Sequence, residues 1–247
     1  MRIAVAGGTG LVGRLVVQAA RDAGHDTVVL SRTKGSDVLR GTGVDEALAG
    51  ADVVVDVTNS VGTSRAKSVA FFGTATPILL SAAGRAGVAH HVALSIVGID
   101  RVPNGYYAGK LEQEKLVADG PVPWTVLRAT QFHEFAGQLL GQTKGPVAPV
   151  PRMRSAPVAA AEVAHRLVEI ATGAPLGRAP EFAGPETHEM PDLARRLLRH
   201  RGTRRLVVPV PVPGEAGRAM ATGGLLPGPD AVLGSETFDQ WLARQPG

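Results

Sequence analysis

Tyr106 and Lys110 form the pair best suited to acid–base chemistry in this 247-residue sequence. Four residues separate them, so they share one face if the segment is helical. A lysine ammonium beside a phenol favours the phenolate and lowers the phenol pKa from about 10. Such a tyrosine can act as a general acid toward a carbonyl that receives hydride. We predict that Tyr106 and Lys110 are catalytic, with Tyr107 as the alternative acid.

Ser95 lies near the end of an apolar segment, residues 91–96, that predicts a β-strand before this pair. In doubly wound sheets, ligands bind at the carboxyl ends of the strands. A hydroxyl group at that edge can donate a hydrogen bond to a developing oxyanion. The position therefore predicts that Ser95 is a third catalytic side chain.

A glycine-rich segment lies between a predicted strand, residues 3–6, and a predicted helix, residues 11–23. Glycine permits a left-handed turn and a close approach of phosphate oxygens to backbone N–H groups. The following helix N-terminus adds unpaired donors and the positive end of its dipole. A P-loop is excluded, because Arg14 follows the last glycine where that motif needs lysine. A tight turn that binds nothing is the alternative, but the context predicts a dinucleotide site made by Gly7, Gly8, Thr9, Gly10, Leu11, Val12 and Gly13.

The loop after the second predicted strand selects the dinucleotide. It reads Ser31-Arg32-Thr33-Lys34, with no acidic residue before Asp37. An acidic residue would bind the ribose hydroxyls of NAD, whereas an arginine offers paired N–H donors to the 2′-phosphate of NADP. Ordinary solvated loop cations are the alternative. We predict NADP rather than NAD, bound through Ser31, Arg32 and Lys34.

Short β-branched segments alternate with helical segments over the first half of the chain. The pattern predicts helices at 11–23, 45–49, 64–86 and 106–118, and strands at 3–6, 27–30, 38–40, 52–57, 91–96 and 125–128. Such alternation predicts a parallel sheet covered on both faces. With right-handed crossovers this is an α/β fold with a doubly wound, Rossmann-type sheet.

From about residue 133 the pattern becomes irregular and rich in proline, with helices predicted at 159–171, 192–200 and 237–243. We predict an NAD(P)-binding domain over residues 1–132. A small substrate-binding cap, partly interleaved with the sheet, is predicted over residues 133–247. The residues at the junction, Gln131, Phe132 and His133, are predicted to contact the substrate.

Composition excludes several classes of protein. The absence of cysteine excludes disulfide scaffolds, thiolate nucleophiles and cysteine-based zinc sites. A net charge of +4 and 4% aromatic residues argue against a nucleic-acid partner, and the arginines of 195–205 are interpreted as a solvated helix face. His90 and His91 point to opposite faces of a strand, so no metal is predicted. No segment approaches the roughly 20 apolar residues that span a bilayer, so we expect a soluble, cytoplasmic protein without a membrane partner.

Taken together, these motifs resemble the short-chain dehydrogenase/reductase superfamily, in its atypical branch of NmrA-like and quinone-reductase-like proteins. The resemblance rests on the glycine segment, Ser95, Tyr106 to Lys110, and the segment 124–128, and it covers about residues 1–135. It implies that Ser95 and Tyr106 bind the substrate oxygen and that Lys110 also holds the nicotinamide ribose. It further implies that Thr58, with Asn59, contacts the cofactor.

The sequence thus predicts an NADP-dependent oxidoreductase that transfers hydride to a small carbonyl, enone or quinone. One alternative is a non-catalytic NADP(H) sensor that regulates a partner protein. Another is an isomerase or epimerase that acts by transient oxidation with a retained cofactor. The sequence makes no prediction of the oligomeric state.

Overall fold

In the computed structural model, residues 1–60, 62 and 64–246 are described, and the chain divides into two units. The first unit comprises residues 1–96, 104–128 and 163–180. The second comprises residues 97–103, 129–162 and 181–247. The chain therefore passes between the units several times.

Strands and helices alternate in the first half of the described chain, and short strands join them in the second half. The helices are α1 (Leu11–Asp22), α2 (Val44–Leu48), α3 (Arg65–Arg85), α4 (Gly105–Ala118), α5 (Phe135–Gly141), α6 (Ala160–Thr172), α7 (Met190–His200), α8 (Gly214–Ala221) and α9 (Phe238–Ala243). The strands are β1 (Arg2–Ala6), β2 (Asp26–Leu30), β3 (Val53–Asp56), β4 (His90–Ile96), β5 (Trp124–Ala129), β6 (Val147–Pro151), β7 (Arg154–Ser155), β8 (Gly177–Arg178), β9 (Phe182–Ala183), β10 (His188–Glu189), β11 (Leu206–Val210) and β12 (Val232–Leu233).

The sheet of the first unit has the strand order β2-β1-β3-β4-β5, and β8 pairs with β5. β1 pairs in parallel with β2 on one side and with β3 on the other. The chain direction across the sheet therefore reverses between β1 and β3. In doubly wound folds, ligands bind beyond the carboxyl ends of the strands at such a reversal. The predicted doubly wound, Rossmann-type parallel sheet is confirmed.

Apolar periodicity explains why these segments take these forms. All four residues of β3 are buried, as expected for a strand covered on both faces. On α1, Val12, Val16 and Ala20 are buried at a spacing of four, so one face of the helix packs inward. Each fully buried valine contributes roughly 1.5–3 kcal/mol through burial. This packing fixes where the strands end, and thus where the polar residues that follow them lie.

The strand predicted at 38–40 is wrong. These residues form turns, in which the Asp37 carboxylate accepts the Leu39 N–H at 2.9 Å and the Asp37 carbonyl accepts the Gly41 N–H at 2.8 Å. A side chain that bonds its neighbouring backbone in this way competes with strand pairing. The other predicted strands and helices of the first half are present to within one residue at each end.

α3 is long and apolar enough, by length and composition alone, to cross a membrane. This corrects the prediction that no segment approaches such a length. Core helices of water-soluble domains pass the same test, and 44% of the apolar window is buried within the protein. Phe72, Leu79 and Leu80 on α3 are almost fully buried. α3 is therefore a packed helix of the first unit, bracketed by polar ends at Arg65 and Arg85.

Short strand pairs and helices build the second unit. β6 pairs in parallel with β11, β7 pairs with β10 in antiparallel fashion, and β9 pairs with β12. The helices predicted from periodicity here are confirmed as α7 and α9, and α6 confirms the segment at 159–171. The strands were not predicted. Prolines interrupt the alternation of apolar residues along β6 and β11, and the other strands of this unit, β7, β9, β10 and β12, have only two residues each.

Candidate functional site

The glycine turn between β1 and α1 has no space for side chains at two positions. Gly7 has φ of +79°, in the left-handed region, and a Cβ there would lie 2.9 Å from the carbonyl oxygen of Val57. A Cβ on Gly13 would overlap the carbonyl oxygen of Gly7. The backbone at the start of α1 is thus pressed against the turn, as in a phosphate-binding βα turn. This geometry fits the pyrophosphate of a dinucleotide.

The other residues of the turn contribute in different ways. A Cβ on Gly8 would lie 2.9 Å from the Val29 side chain, whereas Thr9 and Gly10 are exposed to solvent. Gly10 precedes α1 in an extended conformation, and no side chain caps the helix there. The side chain of Val12 is buried. Because its side chain is buried, Val12 can contribute to a ligand site only through its backbone N–H.

The loop after β2 lies beside this turn. Ala6 and Leu30 are partners in the sheet, and the Gly7 N–H donates to the Leu30 carbonyl at 3.1 Å. Residues Arg32–Lys34 then form a single 3₁₀ turn. Its side chains are exposed, and the Ser31 hydroxyl lies 3.1 Å from that of Thr33. Ser31, Arg32 and Lys34 thus follow the carboxyl end of β2, next to the glycine turn that follows β1.

Asp56 at the end of β3 is a functional candidate that the sequence analysis missed. One of its oxygens accepts the backbone N–H of Thr58 at 2.9 Å, and the other accepts the Gln113 amide at 2.8 Å. Asp56 is 1% exposed. The signal that marks it is a carboxylate closing an all-valine strand. Asp56 fixes the first residues of the loop that carries Thr58 and Asn59.

Lys110 is almost completely buried, and its ammonium is directed into the first unit. In the described part of the chain, it donates to the Leu94 carbonyl at 2.6 Å and to the Gln113 side chain at 2.5 Å. It also lies 4.8 Å from the centre of the Phe72 ring. Burial lowers the pKa of Lys110 to about 8, although Asp56 and Glu114 act in the opposite direction.

The phenol of Tyr106 has a different partner from the one that we predicted. Its hydroxyl donates to Asn59 Oδ1 at 2.6 Å. Burial raises the pKa of Tyr106 well above its usual value, and Tyr107, whose ring centre is 5.9 Å away, raises it further. The predicted lowering of this pKa by Lys110 is therefore wrong, because the long lysine side chain reaches β4 instead of the phenol. Tyr106 remains protonated at neutral pH.

Ser95 belongs to a buried ionic cluster. Its hydroxyl donates to Glu114 Oε1 at 2.5 Å, and Glu114 also accepts hydrogen bonds from Arg128 and Arg178 at 2.8 Å. Burial alone would raise the pKa of Glu114, but the hydrogen bonds from Arg128, Ser95 and Arg178 hold it below its usual value. A serine has one O–H to donate, so the predicted oxyanion contact of Ser95 does not fit this structure.

His90 and His91 are both buried within β4. His90 Nε2 lies 2.8 Å from the Thr125 hydroxyl, and His91 Nε2 lies 4.0 Å from Asp56. Burial lowers the pKa of both histidines, so they are neutral at pH 7. Among the described residues, no three histidine, aspartate or glutamate side chains are grouped closely enough to hold a metal.

The predicted substrate contacts lie in the second unit. Gln131 accepts the Ser155 hydroxyl at 2.7 Å, and Phe132 forms a backbone bridge with Val158. His133 is 1% exposed, and its ring packs against the aromatic side chains of α9, Phe238 and Trp241. This burial leaves no surface of His133 for a substrate, so that prediction is corrected. Gln131 and Phe132 are partly exposed and remain predicted contacts.

Comparison with known proteins gives a family and a fold. The family described as NAD(P)H-binding matches residues 7–173. No curated protein matches the chain. The NADPH-dependent quinone oxidoreductase QOR2 from Escherichia coli is similar with a TM-score of 0.68 and 17% identity, over 98% of each chain.

Two other solved structures show the same fold. A short-chain dehydrogenase/reductase superfamily protein from Agrobacterium tumefaciens with bound NAD has a TM-score of 0.71 and 18% identity, over 98% of this chain and 95% of that chain. The UDP-glucose 4-epimerase from Thermus thermophilus, in complex with NAD, has a TM-score of 0.70 and 16% identity, over 95% of this chain and 90% of that chain. At these identities the similarity establishes the fold.

Proposed function

Because the chain belongs to the NAD(P)H-binding family, we propose that it is an NADP-dependent oxidoreductase that reduces a small carbonyl, enone or quinone. The family match and the fold confirm the resemblance to short-chain dehydrogenase/reductase oxidoreductases and a nicotinamide dinucleotide as cofactor. The choice of NADP and of the substrate class is our proposal. It is carried by the glycine turn, with no space for a side chain at Gly7 or Gly13, next to the exposed Arg32.

The residues that would hold NADP all follow strands of the first unit. The backbone of residues 7–13 suits the pyrophosphate, because the first turn of α1 offers N–H groups without intrahelical partners. The guanidinium of Arg32 suits the 2′-phosphate, and Ser31 and Lys34 flank it. Thr58 lies at the end of β3, on the other side of the turn. When bound, NADPH supplies the hydride.

Tyr106 is the proposed proton donor. Its raised pKa keeps the phenol protonated at neutral pH, and an alkoxide is a much stronger base than a phenolate, so a proton moves readily from the phenol to a developing alkoxide. Lys110 holds the end of β4 and the Gln113 side chain, so in this structure it positions the helix that carries Tyr106. Hydrogen-bond geometry supports no direct role for Ser95.

A screen of NADPH oxidation over small carbonyls, enones and quinones tests the proposal. With an active substrate, Tyr106→Phe should lower kcat about 100-fold or more, because it removes the transferable proton. The KM for NADPH should stay within about twofold, since the phenol is not proposed to bind the cofactor. Tyr107→Phe is the matched control and should retain activity. Equal turnover by wild type and Tyr106→Phe would remove Tyr106 from the mechanism.

The same assay with Arg32→Ala tests the cofactor. A lost charge-assisted bond to a phosphate is worth about 1.5–3 kcal/mol, so NADPH should bind about 10- to 100-fold more weakly while NADH binding is unchanged. Arg40→Ala, which removes another exposed arginine a short distance along the chain, should leave both affinities unchanged. Equal losses for NADPH and NADH with Arg32→Ala would refute the phosphate role.

A non-catalytic NADP(H) sensor is the second candidate. It is favoured by the internal hydrogen bonds of Ser95 and Lys110, which use groups that the superfamily resemblance assigns to catalysis. A sensor should bind NADPH and NADP⁺ with different affinities and show no turnover across the whole screen. An isomerase would instead retain its dinucleotide through purification, visible as nicotinamide absorbance. A substrate-binding role for residues 133–247 and a cytoplasmic location stay predictions from the sequence.

A further inference from the structure

Tyr106 and Asn59 are joined by a short hydrogen bond within the first unit. The phenolic O–H donates to Asn59 Oδ1 at 2.6 Å, near the lower end of the usual range for such bonds. Asn59 is exposed on the loop after β3, whereas Tyr106 lies in the first turn of α4. Two segments far apart in the sequence therefore meet at the proposed proton donor.

The loop that carries Asn59 is held in place by the buried carboxylate of Asp56. Asp56 accepts the Thr58 N–H with one carboxylate oxygen and the Gln113 amide with the other, at 2.9 Å and 2.8 Å. Gln113 lies on α4, the helix that also carries Tyr106. The loop and the helix are thus linked at two points, one through Asp56 and Gln113 and the other through Asn59 and Tyr106.

The backbone of Tyr106 is also held on two sides. Its N–H donates to Asn104 Oδ1 at 2.9 Å, and its carbonyl accepts the Ser68 hydroxyl at 2.9 Å. Asn104 caps α4, and Ser68 lies on α3. These two bonds fix the main chain, but the side chain can still rotate about χ1 and χ2 and the hydroxyl about its C–O bond. The acceptor that sets the direction of the O–H bond is Asn59.

We propose that Asn59 is a positioning residue for Tyr106, whose amide oxygen holds the phenolic hydrogen until a substrate oxygen replaces it. A hydrogen bond to the neutral phenol favours the protonated form, so Asn59 also keeps the proton on Tyr106. Burial and the neighbouring Tyr107 act in the same direction. The consequence for catalysis rests on the proposed reductase function, whereas the contact itself is testable on the protein alone.

The test uses the fact that Tyr106 and Tyr107 are the two tyrosines of the chain. In a Tyr107→Phe background, biosynthetic incorporation of a fluorinated tyrosine labels position 106 alone. Its phenol is more acidic than that of tyrosine, so fluorine NMR can follow its titration at a lower pH than the unlabelled phenol would need. Neither cofactor nor substrate is needed.

Two substitutions at Asn59 should shift this titration in opposite directions. Asn59→Ala removes the acceptor and should lower the phenol pKa by about 0.5–1 unit, as expected for the loss of one ordinary hydrogen bond. Asn59→Asp places a carboxylate there and should raise it by about one unit. Because Asn59 is exposed, neither change should prevent folding. Loosening of the loop would move both variants in the same direction.

Asn104→Ala is the matched control. It removes the cap of α4 beside Tyr106 and should lower the Tm, but it leaves the phenol acceptor in place, so the phenol pKa should be unchanged. Shifts of equal sign in the two Asn59 variants, no shift in either, or an equal shift in Asn104→Ala would overturn the proposal. Opposite shifts together with no turnover in the substrate screen would support the positioning role and reject the reductase function.

Discussion

The glycine turn and the polar network under α4 lie in the same unit but are built in opposite ways. The turn presents backbone groups, and four of its residues, Gly7, Gly8, Gly10 and Gly13, have no side chain. The network consists of side chains, among them Asp56, Lys110 and Glu114, each less than 5% exposed and bonded to one another or to nearby groups. The proposed function of the turn depends on the absence of side chains, which lets a ligand approach the backbone. The role of each side chain in the network depends on the hydrogen-bond partners that tertiary packing places beside it.

The two regions are held in place by different interactions. At the turn, Gly7 and Gly13 create contact between backbone segments that any Cβ would prevent. At the network, charged groups are held away from water, and each depends on a partner for its stability. The two regions should therefore respond differently to substitution. Changes at the turn should alter ligand binding, whereas changes in the network should first alter stability and its pH dependence.

Gly13→Ala should have the largest effect. The added Cβ overlaps the Gly7 carbonyl, so the turn must open and the N-terminus of α1 must move away from the phosphate position. We expect NADPH binding, measured by calorimetric titration, to weaken by about 1,000-fold, or about 4 kcal/mol. Gly73→Ala on α3 is the matched control, because an added Cβ there has no atom within 4 Å. It should bind NADPH normally and gain about 0.5–1 kcal/mol in stability.

Retention of NADPH binding in Gly13→Ala would show that the turn does not hold the pyrophosphate. Loss of binding in Gly73→Ala as well would show that helix glycines in general affect binding, and the contrast between the regions would fail.

The same contrast explains how far the sequence could predict the site. The glycine turn and the Arg32 loop could be predicted, because local backbone geometry and strand order determine where they lie. For Lys110, helical spacing correctly placed its Cα near Tyr106, but the long side chain bonds to Leu94 and Gln113. Ser95 was likewise placed on the correct strand, while its partner Glu114 is supplied by α4. Side-chain partners of this kind depend on tertiary packing, which spacing does not encode.

Lys110→Met should change the pH dependence of stability. Lys110 has a pKa of about 8 in the folded state against 10.5 ordinarily. Between these values the unfolded state binds more protons, so the free energy of unfolding should rise with pH. The rise due to this group should reach up to about 3 kcal/mol. Urea unfolding of both proteins at several pH values from 7 to about 10.5 measures it as the difference between the two curves.

In Lys110→Met this contribution is removed, so its stability should change less over the same range than that of the wild type. Other titrating groups are common to both proteins and cancel in the difference. Curves that run parallel would mean that Lys110 titrates alike in the folded and unfolded states, which would contradict its burial in the network.

Ser95→Ala should have the smallest effect of the three test variants. It tests whether Ser95 acts as a structural residue of the polar network or as a group that binds the ligand. It removes a hydrogen bond to the charged Glu114, worth about 1.5–2 kcal/mol of stability by urea unfolding. Ser155→Ala is the control: this buried serine donates to the neutral Gln131, so its loss should cost only about 1 kcal/mol. With an active substrate, kcat of Ser95→Ala should remain within about twofold of wild type. Unchanged stability with a large fall in kcat would instead mean that the hydroxyl leaves Glu114 to bind the substrate oxygen, as the superfamily resemblance implied.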